Sequence, residues 1–281
     1  MGMTFTSKPE IPVKTFAPPT SWPRRIACIT SETTEIVFAL GAGERIIGVS
    51  GYAVRPPEAR LKEKIAAFKS IRMDKVRELK PDLVLGFSDL QNDIARQLVE
   101  EGFNVFITNQ RTLQQTADAL LAIARLIGEE AKGREIYENF LGEIDSLASQ
   151  TTALLKSRPR VYFEEWDDPM ITGISWVHEL IERLGGEDVF AHKSSGTVAK
   201  QRTVTSDEVM AADPDLIIAS WCGKKVQFEK IRSRPGWEKI RAVRENRLYE
   251  IKSPDILAPG LSLIHGARQM AEIFSISNKK L

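Results

Sequence analysis

One pattern occurs twice in this chain. Residues 74–85 read DKVRELKPDLVL and residues 207–218 read DEVMAADPDLII, with the same spacing and no gap. A second match lies upstream of each copy, where residues 35–41 (EIVFALG) parallel residues 179–185 (ELIERLG). Two halves built on one plan predict two similar lobes. A cleft between α/β lobes is a common place for a small ligand.

Short apolar runs alternate with helical patterns in the first half of the chain, which predicts a mostly parallel sheet covered on both faces. Polar residues and glycines bound each run, and helices are expected to end at glycine or before proline. The predicted strands are 24–30, 46–49, 82–87 and 104–108. The predicted helices are 33–40, 74–80, 93–101 and 112–127.

A long helix is predicted next, over residues 129–156, because apolar residues step by three or four along one face. At ~1.5 Å per residue it would run roughly 40 Å and could tie two lobes together. The predicted domains are an irregular arm (1–23), a first lobe (24–128), the linking helix (129–157) and a second lobe (158–281). The predicted fold class is α/β, with two Rossmann-like lobes of mostly parallel sheet joined by one long α-helix.

The second half repeats the plan of the first. Thr205 and Glu208 have the spacing of a capping box at a helix start. The predicted strands are 160–163, 189–190, 215–220 and 247–251, and the predicted helices are 175–184, 205–212 and 261–274.

The overall charge excludes some partners. The 39 basic and 38 acidic residues give a net charge of +1, which is no electrostatic footprint for nucleic acid or for an anionic membrane. No apolar run approaches the ~20 residues that span a bilayer. The two cysteines, Cys28 and Cys222, fall in different lobes and outside any C-x-x-C pair, so neither a disulfide nor a zinc or redox motif is expected.

Residues 1–25 contain several prolines and no apolar segment of the kind found in secretory signals. They also contain no cysteine that could carry a lipid. The expectation from this segment is a cytoplasmic protein if the N-terminus is native, or an exported protein whose signal has been removed.

Aromatic residues follow the predicted strands of both lobes. Ligands of open parallel sheets lie beyond the carboxyl ends of the strands, and large apolar rings there suit a flat, partly apolar ligand. Packing of the lobe edges is the alternative explanation for each ring. The candidate ligand-binding residues on this argument are Tyr52, Arg55, Phe68, Phe87, Trp166 and Trp221.

Asp74 and Asp207 are related by the repeat, and each falls in the first turn of a predicted helix. The helix dipole and the free backbone N–H groups stabilise a carboxylate there, which is a sufficient structural explanation for either residue. One acidic residue on each lobe also suits docking onto a symmetric basic partner, where such charges set orientation and association rate.

Catalytic motifs are weak. The chain has three histidines (His178, His192 and His265), none in the spacing of a metallohydrolase, and it lacks a phosphate-binding loop and a nucleophile elbow. Residues 164–168 (EEWDD) form an acidic run, which is interpreted as a solvated loop or a cation site.

Residues 25–50 (RIACITSETTEIVFALGAGERIIGVS), the following Pro56-Pro57 and residues 79–85 (LKPDLVL) resemble the class III periplasmic substrate-binding proteins of ABC importers. This family serves the uptake of cobalamin, haem and iron-siderophores, and the similarity is greatest to its cobalamin-binding members. The resemblance runs from about residue 24 to 274. It implies two Rossmann-like lobes joined by one long helix, and only a small closure of the lobes.

The resemblance also implies roles for individual residues. Asp74 and Asp207 stand where the family docks on the two subunits of its permease. Phe68 and Phe87 stand where the cobalamin-binding members have tryptophan, Met170 where they have phenylalanine, and Gln201 where they have another tryptophan. A smaller or more polar corrinoid, another tetrapyrrole and an iron chelate all remain as ligands.

The main hypothesis is therefore a monomeric, non-enzymatic binding protein without a cofactor, which holds a corrinoid or iron chelate and hands it to an ABC permease dimer. The resemblance implies a periplasmic or extracytoplasmic location. One alternative is a cytosolic corrinoid or tetrapyrrole carrier. Another is a chelatase-like enzyme, for which His192 with Glu164 or Glu165 is the candidate pair. A zinc or manganese importer subunit is a third, although such sites usually gather several histidines.

Overall fold

The computed structural model describes residues 23–278, and these form two β-sheets with helices packed against them. Apart from Pro23, the predicted N-terminal arm lies outside the described residues. The two copies of the Pro-Asp pattern lie in different sheets, since one copy enters a strand of the first sheet and the other a strand of the second. The duplicated pattern therefore corresponds to two separate sheets.

The first sheet has six strands in the order β4-β3-β2-β1-β5-β6, and only the β3–β4 pair is antiparallel. The strands are β1 (Ile26–Cys28), β2 (Ile46–Ser50), β3 (Lys64–Ala67), β4 (Ser70–Ile71), β5 (Leu83–Phe87) and β6 (Val105–Thr108). The helices are α1 (Ser31–Ala39), α2 (Met73–Leu79), α3 (Asn92–Glu100) and α4 (Leu113–Leu126). Every residue of β5 is buried, as expected for a parallel strand covered on both faces.

A single helix of 25 residues, α5 (Glu130–Leu154), joins the two sheets. It spans ~38 Å at 1.5 Å per residue, and it packs against α4 and against the last helix, α11 (Leu263–Asn278). The helix predicted over 129–156 is therefore confirmed with ends one or two residues shorter. The division into domains at 24–128, 129–157 and 158–281 stays a prediction.

The second sheet has the order β11-β10-β7-β8, with β9 paired to β7, and only the β7–β8 pair is antiparallel. The strands are β7 (Arg160–Asp167), β8 (Met170–Thr172), β9 (Glu187–Asp188), β10 (Leu216–Ala219) and β11 (Leu248–Glu250). The remaining helices are α6 (Ser175–Arg183), α7 (Ser206–Ala212), α8 (Phe228–Arg232), α9 (Arg241–Arg244) and α10 (Ser253–Ile256). The strand predicted at 189–190 is wrong by two residues, since β9 ends at Asp188.

The repeat holds at the level of single contacts. Lys80 and Asp213 end α2 and α7 in the left-handed conformation, with φ of 49° and 39°, and proline follows each. Asp82 then accepts a hydrogen bond from the backbone N–H of Arg25, just before β1, at 3.0 Å. Asp215 accepts one from the backbone N–H of Arg160, at the start of β7, at 2.9 Å. The same three positions, namely a left-handed residue, a proline and an aspartate, therefore form the same helix–strand junction in both lobes.

One hydrophobic cluster crosses the border between the lobes. It includes Phe87 and Leu113 of the first lobe, Phe140 of α5, and Trp176 and Leu263 of the second half. A shared buried cluster resists separation of the lobes, because opening it would expose apolar surface to water. Within residues 23–278, no helix combines the length and the apolar character needed to cross a bilayer.

Candidate functional site

The loops that follow strands of the two sheets contact each other. Arg55, which follows β2, donates from Nη1 to the carbonyl of Pro254 at 2.9 Å and forms an ion pair with Asp255. Gln110, which follows β6, donates from Nε2 to the carbonyl of Pro259 at 2.9 Å. All three partners follow β11 of the second sheet. The carboxyl edges of both sheets therefore meet at one inter-lobe border, the region where open parallel sheets bind ligands.

Glu35 of α1 belongs to this border. Its Oε2 accepts the backbone N–H of Ser262 at 3.1 Å, and its Oε1 lies 3.8 Å from Nη1 of Arg55. Burial raises the pKa of Glu35 to about 7, although the Arg55 charge and the Ser262 hydrogen bond lower it, and the nearby Glu32 adds to the rise. The border thus contains a carboxyl group that changes charge near neutral pH.

The structure brings Phe68 and Phe87 together through one buried side chain. Gln91 accepts the N–H of Phe87 with Oε1 at 3.1 Å and donates from Nε2 to the carbonyl of Phe68 at 3.0 Å. Phe87 is buried and Phe68 half-buried, and both belong to the cluster that crosses the border. Tyr52, by contrast, has 62% of its surface exposed.

The two tryptophans of the second lobe have different environments. Trp166 is half-buried near the end of β7, and its indole N–H donates to the carbonyl of Asp168 at 2.8 Å. Trp221 is buried in the core, and its indole N–H donates to Oε1 of Glu164 at 3.0 Å. This placement corrects the expectation that the Trp221 ring lines the cleft. A buried indole N–H needs a hydrogen-bond acceptor, and the buried carboxylate of Glu164 supplies it, so the Trp221 ring is stable in the core.

Met170 and Gln201 complete the sequence-predicted set. Met170 of β8 is half-buried and packs against the same cluster as Trp166. Gln201 is exposed, and its Oε1 accepts the N–H of Val198 at 3.3 Å, within its own loop. The structure therefore groups Met170 with Trp166 and leaves Gln201 apart from them.

The sequence interpretation missed two cations at the strand ends. Arg111, three residues after β6, lies over the ring of Phe87, and Lys224, in the loop after β10, lies over the ring of Trp166. Burial pushes the pKa of Asp167 up, but its hydrogen bond from Lys224 and the neighbouring charges outweigh burial and leave that pKa below its ordinary value. Position after a strand was the available signal, and among the cations it selected Arg55 but neither Arg111 nor Lys224.

The acidic run at 164–168 is paired with arginine and lysine. The side chain of Glu164 has no exposed surface, and its carboxylate accepts hydrogen bonds from both terminal nitrogens of Arg234, at 2.5 and 3.1 Å. Glu165 accepts both terminal nitrogens of Arg202, at 2.5 and 3.0 Å. The interpretation of these two glutamates as part of a solvated loop is therefore wrong.

A groove of about 910 Å³ lies beside the border, against α1. Its lining includes Glu35 and Arg55 together with Phe38 and His265, and none of the predicted cleft aromatics. This lateral groove shares Glu35 and Arg55 with the border, but it is a separate candidate site because Phe38 and His265 take the place of the predicted cleft aromatics.

Asp74 and Asp207 lie in the first turns of α2 and α7, as the sequence predicts. Both side chains are exposed, and Asp74 Oδ2 lies 3.6 Å from a nitrogen of Arg72. Thr205 and Glu208 form the predicted capping box at the start of α7. Equivalent helix starts therefore present one exposed carboxylate on each lobe.

The histidines do not gather into a site. Nδ1 of His178 lies 3.2 Å from the buried Asp188 carboxylate, and this hydrogen bond raises the pKa of His178. His192 is exposed and lies against the ring of Phe190, and His265 lies at the lateral groove. Across residues 23–278 there is no group of three or more histidine, cysteine, aspartate or glutamate residues placed to hold a metal ion.

Two mostly parallel sheets covered by helices, joined by one long helix and meeting at their carboxyl edges, define a two-lobed α/β fold. The family model described as periplasmic binding protein matches residues 26–254. The chain belongs to this family.

Known proteins of similar sequence and structure agree with this assignment. The chain is 27% identical over 266 residues to the vitamin B12-binding protein of Salmonella typhimurium, covering 92% of this chain and 94% of that protein. It is 24% identical over 258 residues to the uncharacterized ABC transporter substrate-binding lipoprotein YvrC of Bacillus subtilis, covering 89% and 79%. The apo periplasmic heme-binding protein RhuT of Roseiflexus sp. RS-1 has the same fold, with a TM-score of 0.79 at 22% identity over 91% of this chain and 99% of that one.

Proposed function

We propose that this protein is a solute-binding protein that holds a corrinoid or a metal chelate at the inter-lobe border and delivers it to an ABC importer. The ligand classes are a cobalamin-like corrinoid, another tetrapyrrole, or an iron chelate. The observation that carries the proposal is the meeting of two duplicated sheets at their carboxyl edges, in a chain of the periplasmic binding protein family. Relatives named for vitamin B12 and heme binding support these ligand classes.

Residues of both lobes would contact the ligand. Trp221 is left out, because its ring is buried and its indole N–H is bound to the core carboxylate of Glu164. The proposed contacts are Tyr52, Arg55, Phe68, Phe87, Trp166, Met170 and Gln201.

The protein would act as a monomer outside the cytoplasm, and its exposed Asp74 and Asp207 would dock on a permease dimer. Relatives that are ABC substrate-binding proteins support this location and this partner.

The chelatase-like and cytosolic-carrier alternatives are not favoured. The matching family model is described as periplasmic binding protein, which favours an exported binding protein over both alternatives. The candidate acid–base pairs of a chelatase would need Glu164 or Glu165 beside His192, but each glutamate is held by an arginine, while His192 lies against Phe190.

Titration of the purified protein tests the proposal. The probes are cyanocobalamin, dicyanocobinamide, haem, ferrichrome and ferric enterobactin, followed by calorimetry and tryptophan fluorescence. At least one probe should bind with 1:1 stoichiometry and a Kd of about 1 μM or lower. No heat and no fluorescence change from any probe at ~50 μM, a concentration that would largely saturate a site of such affinity, would reject the proposal.

A matched pair of variants separates the border from the lateral groove. Phe68→Ala removes a ring at the border and should weaken binding about tenfold, which corresponds to about 1.4 kcal/mol. Phe38→Ala removes a ring that lines the groove and should leave the affinity unchanged. The opposite result would assign the ligand to the groove.

A further inference from the structure

Each lobe contains the same three-part unit at a strand end: an aromatic ring, a cation over the ring, and an aspartate that holds the cation. In the first lobe the guanidinium carbon of Arg111 lies 5.5 Å from the ring centroid of Phe87. Nη2 of Arg111 donates to Oδ1 of Asp89 at 2.6 Å. Phe87 ends β5, and Asp89 follows two residues later.

In the second lobe, Lys224 takes the place of the arginine. Its Nζ lies 3.9 Å from the ring centroid of Trp166 and 4.9 Å from that of Trp221. It donates to Oδ1 of Asp167 at 2.5 Å. Trp166 and Asp167 are the last two residues of β7. Two unrelated stretches of sequence therefore place a cation on an aromatic ring at the carboxyl edge of each sheet.

Both cations retain hydrogen-bonding capacity. Arg111 uses Nη2 for Asp89 and, at 3.4 Å, for the hydroxyl of Ser88, whereas its Nε is buried without a partner among residues 23–278. An arginine has five N–H donors and an ammonium group has three. Lys224 is 37% exposed and can turn away from Trp166 while it stays close to Asp167. Each cation can therefore donate a hydrogen bond to a second, anionic partner.

Arg111 and Lys224 each cover one face of an aromatic ring. A flat ligand that stacks on that same face must displace the cation from the ring. The displaced charge stays within a few ångströms of the ligand edge, where a carboxylate or phosphate group would satisfy it by a charge-assisted hydrogen bond. A neutral edge would leave the cation with its aspartate alone and without the aromatic contact. The arrangement therefore favours ligands with anionic groups.

We infer that the border selects chelates that carry carboxylate or phosphate groups beside a flat face, and that Arg111 and Lys224 are the residues that recognise these groups. The inference rests on the proposed function, because it specifies the ligand of the same site. It adds two residues that are absent from the aromatic set and assigns them to ligand specificity.

Haem and haem dimethyl ester form a test pair, since they share one ring system and differ in two free carboxylates. Wild-type protein should bind haem at least tenfold more tightly than the diester, as expected for loss of charge-assisted contacts. Cyanocobalamin and dicyanocobinamide form the corresponding pair for phosphate, because the nucleotide loop of cobalamin carries a phosphodiester that cobinamide lacks. Whichever pair contains a ligand that the protein binds is used, and the affinities of its two members are compared.

Variants assign the preference to the two cations. Arg111→Gln combined with Lys224→Met should reduce the anionic-to-neutral affinity ratio to about 1–3, and Arg111→Lys combined with Lys224→Arg should restore most of it. Arg96→Gln and Lys225→Met remove exposed cations from α3 and from the Lys224 loop, and they should leave the ratio at the wild-type value. Circular dichroism and Tm confirm that the variants fold.

Equal affinity of the wild type for both members of a binding pair would overturn the inference and leave the proposed function standing. A wild-type preference that survives the Arg111→Gln, Lys224→Met double variant would overturn the assignment to these residues. Failure of all probes, the siderophores included, would instead reject the proposed function. Binding of the siderophores alone would also overturn the inference and leave the proposed function standing, because neither ferrichrome nor ferric enterobactin carries a carboxylate or phosphate group beside a flat face.

Discussion

Glu164 carries a negative charge into the core of the second lobe, where three side chains hold it. Tyr162, Trp221 and Arg234 all donate to its carboxylate oxygens. Burying a charge is unfavourable unless it is paired and hydrogen-bonded, and here both carboxylate oxygens have donors. The contact network thus fixes the Trp221 ring and the Arg234 side chain together beneath the strand ends.

Removing this carboxylate should destabilise the protein strongly. Glu164→Ala leaves the largely buried Arg234 without its charge partner, and loss of one member of a buried pair costs about 3–5 kcal/mol. Urea unfolding measures the loss. Glu229→Ala removes an exposed carboxylate from α8 and should change the free energy of unfolding by less than about 0.5 kcal/mol. Equal small losses in both variants would show that the Glu164 network contributes nothing to stability.

Glu35 gives folding a pH dependence at the border. Its pKa of about 7 in the folded protein lies above the ordinary value of 4.5, so the folded state binds a proton more tightly than the unfolded chain. The resulting stabilisation is complete below about pH 4.5 and is lost as the pH rises through about 7. Glu35→Gln keeps an acceptor for the Ser262 N–H and removes this titration. At pH 8 it should be more stable than wild type by on the order of 1–3 kcal/mol.

The measurement is urea unfolding at pH 5 and pH 8. Wild type should lose more stability over this interval than Glu35→Gln, and Glu44→Gln, at an exposed carboxylate, should follow wild type. Burial also raises the pKa of the nearby Glu32, which interacts with Glu35 and is present in both proteins, so the comparison reports Glu35 together with its interaction with Glu32. An identical loss in wild type and Glu35→Gln would contradict the raised pKa.

The sequence could not reveal these residue environments. Glu164 and Arg234 are 70 residues apart, and Arg55 and Asp255 are 200 apart. Spacing along the chain predicts which face of a helix or strand a side chain occupies, but it does not predict a partner on another element. The sequence therefore predicts neither the arginine partners of Glu164 and Glu165 nor the hydrogen bond that holds Trp221 in the core, because these partners are remote along the chain.

The elements of the fold were more predictable than their contacts. The long helix, the capping box of Thr205 and Glu208, and the helices followed by Gly41, Gly128 and Gly185, all with positive φ, depend on local sequence and were expected. The elements that were missed are short, at two to five residues each, so no apolar period can develop in them. They are β3, β4, β8, α8, α9 and α10.

Two glycines of α5 give a test at this scale. A Cβ added at Gly133 would lie 2.3 Å from Cβ of Ala124 on α4, whereas a Cβ at Gly142 would meet no atom within 4 Å. Alanine is about 1 kcal/mol better than glycine within a helix, but overpacking costs about 1–3 kcal/mol. Gly142→Ala should therefore stabilise the protein by about 0.5–1 kcal/mol, and Gly133→Ala should destabilise it by up to about 2 kcal/mol.

Thermal and urea unfolding of the two variants measure these changes. Both variants replace glycine by alanine in the same helix. The difference between their free energies of unfolding therefore isolates the effect of the close approach of α4 and α5. Stabilisation by both variants to the same extent would mean that the two helices are not in such close contact.

At the scale of the whole molecule, the lobes are held together by the shared hydrophobic cluster, by α5 and by border contacts such as Arg55 with Asp255. Together these restrict lobe movement, as the family resemblance implies. The duplicated pattern was sufficient to predict the two sheets. It could not predict that the loop after β11 is held by the first lobe, because that contact belongs to neither repeat alone.

The paired acidic residues belong to this scale as well. Asp74→Lys combined with Asp207→Lys should reduce association with the cognate permease in a nanodisc pull-down by at least tenfold, because the change replaces attraction by repulsion on both lobes. Ligand affinity should be unchanged. Asp93→Lys, an exposed aspartate in the first turn of α3, is the matched control and should associate normally. Normal association of the double variant would exclude these aspartates from docking.

The most direct test of the account is a crystal structure of the protein with the probe that binds most tightly. The account predicts that the probe lies between the lobes and contacts Phe68 of the first lobe and Trp166 of the second in the same complex. A probe bound in the lateral groove beside Phe38 and His265, or against one lobe only, would contradict it.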